Sequence, residues 1–112
     1  MVFEDGAQMR DFVHVDDVAA ANLAAAHLIG AGRSGFTALN VCSGRPISIL
    51  QVATALCAAR GSSLSPAVTG QYRSGDVRHI VADPGRAAEV LGFRAAVDPS
   101  DGLREFAFAP LR

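Results

Sequence analysis

From Asp11 to Val15 the side chains fall alternately on two faces, with Phe12 and His14 on one side and Val13 and Val15 on the other. That period of two predicts a strand over 11–15. Val2-Phe3 predicts the stub of an earlier strand, closed by a turn at Glu4-Asp5-Gly6. The period then changes: Val18, Ala21, Ala25, Leu28 and Ile29 recur at helical spacing. They predict a helix capped by Asp16 or Asp17, running to about Ile29 and stopped by Gly30-Ala31-Gly32.

Phe36 to Val41 predicts another strand, broken by Ser43-Gly44-Arg45-Pro46. Ser48 and Gln51 have the spacing of a capping box, flanked by Ile47 and Val52 as a hydrophobic staple. The helix they start presents Ile49, Val52, Ala53, Leu56 and Cys57 on one face and stops at Gly61. After the polar linker Ser62 to Ser65 come the short segment Ala67-Val68-Thr69, a loop from Gly70 to Asp76 and a strand-like run from Val77 to Ala82. Asp83-Pro84 and Asp98-Pro99 each place a capping carboxylate before a proline, which starts a helix. The first of these helices ends at Gly92, and the second carries Leu103, Phe106 and Phe108. The sum is an α/β chain, a mixed lobe of short strands with about four helices in two or three layers, occupying residues 1–112 as a single unit.

Composition narrows the choice of partner. Half of the 112 residues are hydrophobic and 19% are charged, which suits a core-forming chain rather than a disordered one. A net charge of −1 gives no electrostatic footing for nucleic acid or an anionic membrane surface. No apolar run has the length of a membrane span, and the N-terminus lacks the basic and hydrophobic regions of a signal peptide, so the expected compartment is the cytoplasm. Cys42 and Cys57 have no CxxC spacing. Cys57 is expected as a reduced core thiol, and Cys42, beside a strand-to-loop junction, as the more accessible of the two.

All ten basic residues are arginine. Two places hold charge that the fold does not need: Arg10, and the loop from Tyr72 to His79. An arginine beside glycine can lay its planar fork on a phosphate, and two that converge would clamp a diphosphate. Composition alone favours plain solvated arginines at both places. His14, Asp16, Asp17, Asp76 and His79 could be drawn together as a metal or hydrolytic centre, but strand and cap roles account for them better. Ser43 and Ser74 adjoin glycines without forming a G-x-S-x-G elbow, and His27 has no catalytic neighbour in sequence.

The segment Arg10-Asp11-Phe12-Val13-His14-Val15-Asp16-Asp17-Val18 resembles the arginine-aspartate-aromatic segment of the extended short-chain dehydrogenases, the NAD-dependent epimerases and dehydratases of nucleotide sugars. Leu39-Asn40-Val41-Cys42-Ser43-Gly44 resembles their strand end, with Cys42 where glycine is usual. Ile47-Ser48-Ile49 resembles their serine-capped helix start. Tyr72-Arg73-Ser74-Gly75-Asp76-Val77-Arg78-His79, with Ala82-Asp83 and Leu91-Gly92-Phe93, resembles their second arginine loop and the helix after it.

The resemblance implies that Arg10 and Arg73 contact the diphosphate of a nucleoside-diphosphate sugar. Asp76 would lie near the ribose or steady Arg73, and Val2 and Phe3 would run close to the base. It implies the small C-terminal substrate-binding lobe, starting partway through a strand, without the Rossmann domain. NAD is then expected in that missing N-terminal domain, not here. Gly30, Gly32 and Gly35 follow a predicted helix rather than a strand, the wrong context for a dinucleotide cradle. The family's catalytic tyrosine–lysine pair cannot form without lysine, and four residues after Tyr72 stands Asp76. The chain is therefore expected not to catalyse alone. The alternative is a stand-alone, non-enzymatic module that binds a nucleotide sugar or pairs with a separate Rossmann subunit. In either case apolar surface around Val2, Phe3, Phe12, Phe106 and Phe108 is expected to lie open and to favour self-association.

Overall fold

The computed structural model describes residues 1–110. Four helices and one small sheet follow in the order β1 (Met9–Arg10), α1 (Val15–Gly30), β2 (Ile47–Ser48), α2 (Ile49–Ala59), α3 (Gly85–Leu91) and α4 (Pro99–Phe106). β1 and β2 pair antiparallel, Met9 opposite Ser48 and Arg10 opposite Ile47. A single parallel bridge from Arg10 to Ile80 adds to this ribbon, and another joins Val2 to Val68 apart from it.

The helix signals produce helices close to where they stand. Ser48 Oγ accepts the Gln51 N–H (3.1 Å) while Gln51 Oε1 accepts the Ser48 N–H (2.7 Å), a complete capping box on α2. Asp98 caps α4 by accepting the Ser100 N–H at 2.9 Å, with Pro99 in the first turn. Asp83 does the same for the Gly85 N–H at 2.8 Å, so Pro84 already has helical angles. Gly92 ends α3 at φ 65°, a conformation in which a side chain would clash with its own backbone.

The strand expectations need correction. Residues 11–14 and 36–41 form no strand, and 77–82 contributes one bridge at Ile80. An alternating pattern makes a strand only where a neighbour supplies the hydrogen bonds. Ile29, assigned to the buried stripe of α1, is 69% exposed, whereas Ala21 on the same helix is buried. Cys42 is the buried thiol, at 4% exposure, and Cys57 is only half-buried, the reverse of the expected accessibility. Val2 is buried rather than open, while Phe12, Phe106 and Phe108 are exposed as expected.

α1 packs on α3, and α2 packs on α4 and β2. The buried cluster is small: Ala21, Ala87 and Phe93, with Leu39, Val41, Leu91 and Ala95 against it. An apolar cavity of about 480 Å³ remains between residues 12–15, α2 and α4. The radius of gyration is 16.9 Å, against about 13 Å for a compact domain of this size. The accessible surface is 7738 Å², where a folded monomer of 11.6 kDa exposes about 5,800 Å². The excess, about 1,900 Å², is roughly twice the ~800 Å² that a standard protein–protein interface removes from one partner.

Candidate functional site: the arginine edge

Three side chains of the segment 10–17 fasten distant backbone, and a fourth caps the helix that follows. Arg10 donates from one terminal nitrogen to the carbonyls of Met9 (2.8 Å) and Arg78 (2.9 Å), and from the other to that of Val77 (2.7 Å). The Asp11 carboxylate accepts the N–H groups of Ser43 (2.7 Å) and Gly44 (2.8 Å). The Asp17 carboxylate accepts those of Ala96 (2.9 Å) and Val97 (3.1 Å). His14 Nδ1 accepts the Asp16 N–H at 3.3 Å, which makes His14 the cap of α1. Two expectations are thereby corrected. The helix is capped from His14 rather than from Asp16 or Asp17, and Asp17 is a buried brace between α1 and the loop before α4. Asp11, which sequence reading left without a role, joins the same set.

Arg10 thus docks on the loop that carries Arg73 and Asp76. In that loop the Asp76 N–H donates to the Arg73 carbonyl at 3.2 Å, and both side chains are exposed. The Arg73 guanidinium lies over the Phe3 ring, 4.9 Å from its centroid. Phe3 is held against this loop from its neighbours on either side. The Val2 N–H donates to the Ala67 carbonyl (2.8 Å), the Thr69 N–H returns to the Val2 carbonyl (3.0 Å), and the Glu4 N–H donates to the Gln71 carbonyl (2.7 Å). Phe3, Thr69, Gly70, Gln71, Tyr72 and Arg73 line an open recess of about 600 Å³. Phe3 and Arg73 therefore meet in one recess, while Val2 is buried and neither Arg10 nor Asp76 lines that recess.

Arg78, the other arginine of the loop, is committed elsewhere. It donates to Asp5 Oδ2 at 2.7 Å and to Glu4 Oε2 at 3.1 Å. The hydrogen bond from Arg78, reinforced by the Ala7 N–H, pulls the Asp5 carboxyl down to about 2, and Asp5 in turn raises Arg78. This triad ties the turn after Phe3 to the loop and leaves Arg73 as the loop arginine that no carboxylate holds among the described residues. Gly6 permits the turn: at φ +74° it passes so close to α2 that a Cβ would lie 2.8 Å from that of Leu50.

The residues weighed as a metal or hydrolytic centre are not gathered. His79 Nδ1 accepts the Met9 N–H at 3.3 Å, His14 caps α1, and Asp17 braces Ala96 and Val97. Among the described residues no group of three or more His, Cys, Asp or Glu could hold a metal ion. Gly32 and Gly35 follow the end of α1 and stand in open space, where an added Cβ would meet nothing within 4 Å. No helix among the described residues is long and apolar enough to cross a membrane.

Comparison with known proteins gives this edge a family. Residues 1–42 match the NAD dependent epimerase/dehydratase family. The chain is 33% identical over 101 residues to a UDP-glucose 4-epimerase of Dictyostelium discoideum, covering 90% of this chain and 29% of that protein. Among solved structures, UDP-glucose 4-epimerase of Thermotoga maritima with UDP-glucose superposes with a TM-score of 0.82 at 32% identity, covering 95% of this chain and 32% of that one. MoeE5 in complex with UDP-glucuronic acid and NAD superposes with a TM-score of 0.73 at 36% identity, covering 91% and 33%. The chain belongs to the NAD-dependent epimerase/dehydratase family, and its mixed α/β fold matches part of the epimerase structures. It spans about 30% of the length of these relatives.

Proposed function

We propose that this chain is the C-terminal, nucleotide-sugar-binding lobe of an NAD-dependent epimerase or dehydratase acting on nucleoside-diphosphate sugars. The observation that carries the reading is the Arg73–Phe3 pair in an open recess, beside a loop docked on Arg10. Relatives that superpose on nearly the whole chain were solved with UDP-glucose and UDP-glucuronic acid. In this reading Arg73 lays its fork on the diphosphate, and its charge persists at any physiological pH. Arg10 serves twice. Three of the five N–H groups of its guanidinium are used, two in holding the loop and one on the Met9 carbonyl, which leaves two for a phosphate oxygen. Asp76 approaches the ribose, and Val2 and Phe3 border the base.

The hydride and proton chemistry belongs to a Rossmann lobe outside these residues, where NAD and the tyrosine–lysine pair are expected; this chain has no lysine. The same lobe would cover the exposed apolar surface, and in its absence a second copy of the chain would do so. Titration of UDP-glucose or UDP into the wild-type chain and an Arg73→Ala variant tests the reading. Loss of binding in the variant supports it, and equal binding refutes it.

A further inference from the structure

Gln8 presents a problem that packing alone does not solve. It lies just before β1 and is 92% buried, with 8% of its surface exposed. Its backbone carbonyl accepts the Ile49 N–H at 3.0 Å, tying it to the start of α2. Its side-chain Nε2 donates to the Phe3 carbonyl at 3.1 Å, and its Oε1 is buried with no hydrogen-bond partner among the described residues. The orientation of the amide is fixed by chemistry: a flip would set oxygen against the Phe3 carbonyl oxygen. A buried amide oxygen without a donor lowers stability, and a methionine would fill the same space without one. The gain must therefore lie in what Nε2 holds, which is the backbone of Phe3.

Phe3 carries Arg73. The carbonyl gripped by Gln8 also accepts the Gly6 N–H at 3.2 Å, so two donors fix the peptide that sets the direction of the Phe3 ring. The ring in turn seats the Arg73 guanidinium 4.9 Å from its centroid. A path of three residues runs from the interior to the mouth of the recess. We infer that Gln8 is a positioning residue: it locks Phe3 so that the ring presents the Arg73 guanidinium to the diphosphate. The part played by the diphosphate rests on the function proposed above; the locking of Phe3 and Arg73 does not.

The test uses the 112-residue chain with Gln8→Met, which keeps the volume and removes both the donor and the orphaned acceptor, and Gln8→Leu, which removes both groups with a smaller apolar side chain. Three quantities are read: the denaturant midpoint, the ring-current shift of the Arg73 side-chain protons without ligand, and calorimetric binding of UDP. Gln8→Met should unfold at the same or a higher midpoint, yet lose most of the Arg73 ring-current shift and bind UDP roughly tenfold more weakly. Gln8→Leu should also lose the shift, which covers the case in which the methionine variant does not fold. An unchanged Arg73 shift in a folded variant overturns the inference. Wild-type protein that fails to bind UDP overturns the nucleotide reading instead, and the ligand-free shift still decides whether Gln8 positions Arg73.

Discussion

The carboxylate of Asp17, in the first turn of α1, accepts the backbone N–H of Ala96 at 2.9 Å, 79 residues along the chain. The Val97 N–H completes the pair at 3.1 Å, and Asp17 is only 5% exposed. One side chain thus joins α1 to the segment that leads into α4. Asp17→Ala would leave two N–H groups unpaired and should cost about 2–4 kcal/mol in denaturant unfolding. Asp17→Asn keeps one acceptor oxygen and should cost about half as much. A loss below about 0.5 kcal/mol in the alanine variant would mean that the brace contributes little.

Asp5 gives the stability a pH signature. Its hydrogen bond from Arg78 lowers the folded-state value to about 2 from an ordinary 3.8. A depressed carboxyl stabilises the fold above the unfolded value, and the contribution is lost as pH falls towards the folded one. Asp98 is lowered as well, first by the Ser100 hydroxyl, then by the Ser100 N–H and by Arg45, and adds in the same direction. The urea midpoint should therefore hold steady from pH 7 to about 4 and drop between about 4 and 2. Asp5→Asn should flatten part of that drop, and high salt should weaken the Asp5 effect because the pair is exposed. A wild-type profile that is unchanged down to pH 2 would contradict it.

The two thiols should react in sequence. Burial, with the nearby Asp11 charge, pushes the Cys42 thiol above its ordinary value of 9.0, and its Sγ donates to the Ala82 carbonyl at 3.5 Å. Cys57 is half-buried on α2. A neutral, enclosed thiol is a poor nucleophile. Under native conditions at pH 8, iodoacetamide should label Cys57 well before Cys42, and both should react at similar rates in urea. Peptide mapping by mass spectrometry distinguishes them.

Much of the helical part was legible in sequence because caps are local. Ser48 and Gln51 stand three residues apart and bond each other, Asp98 reaches Ser100, and Gly92 needs only its own backbone angle. The strands were not legible to the same degree. The segments 11–15 and 36–41 have strand-like sequence, but residues 11–14 and 36–41 have no ladder partner among the described residues. The braces escaped notice for a related reason. Asp11 and Asp17 bond to N–H groups 32 and 79 residues away, a separation at which spacing carries no signal. The candidate site was half legible. Arg73 and Phe3 were singled out and do meet, whereas the amide of Gln8 behind them had no motif to mark it.

The excess of exposed apolar surface should appear in solution. Phe12 and Phe106 lie open beside an incompletely filled cavity, Phe108 is exposed as well, and the accessible area exceeds that of a compact monomer of this mass. Light scattering should report a mass above that of the monomer at high concentration, with self-association weakened by Phe106→Ser. A monomer at every concentration would contradict the self-association.

The central claim is that Arg73, seated on Phe3, grips a nucleoside diphosphate. Arg73→Ala is a cleaner probe than a change at Arg10, because Arg73 is exposed and braces nothing, whereas Arg10 holds the carbonyls of Val77 and Arg78. The decisive measurement is calorimetric titration of UDP into wild type and Arg73→Ala at equal stability. Binding by the wild type, with affinity lowered at least about tenfold in the variant, is the predicted result. Equal affinity in the two proteins, or no binding by the wild type, would contradict the account.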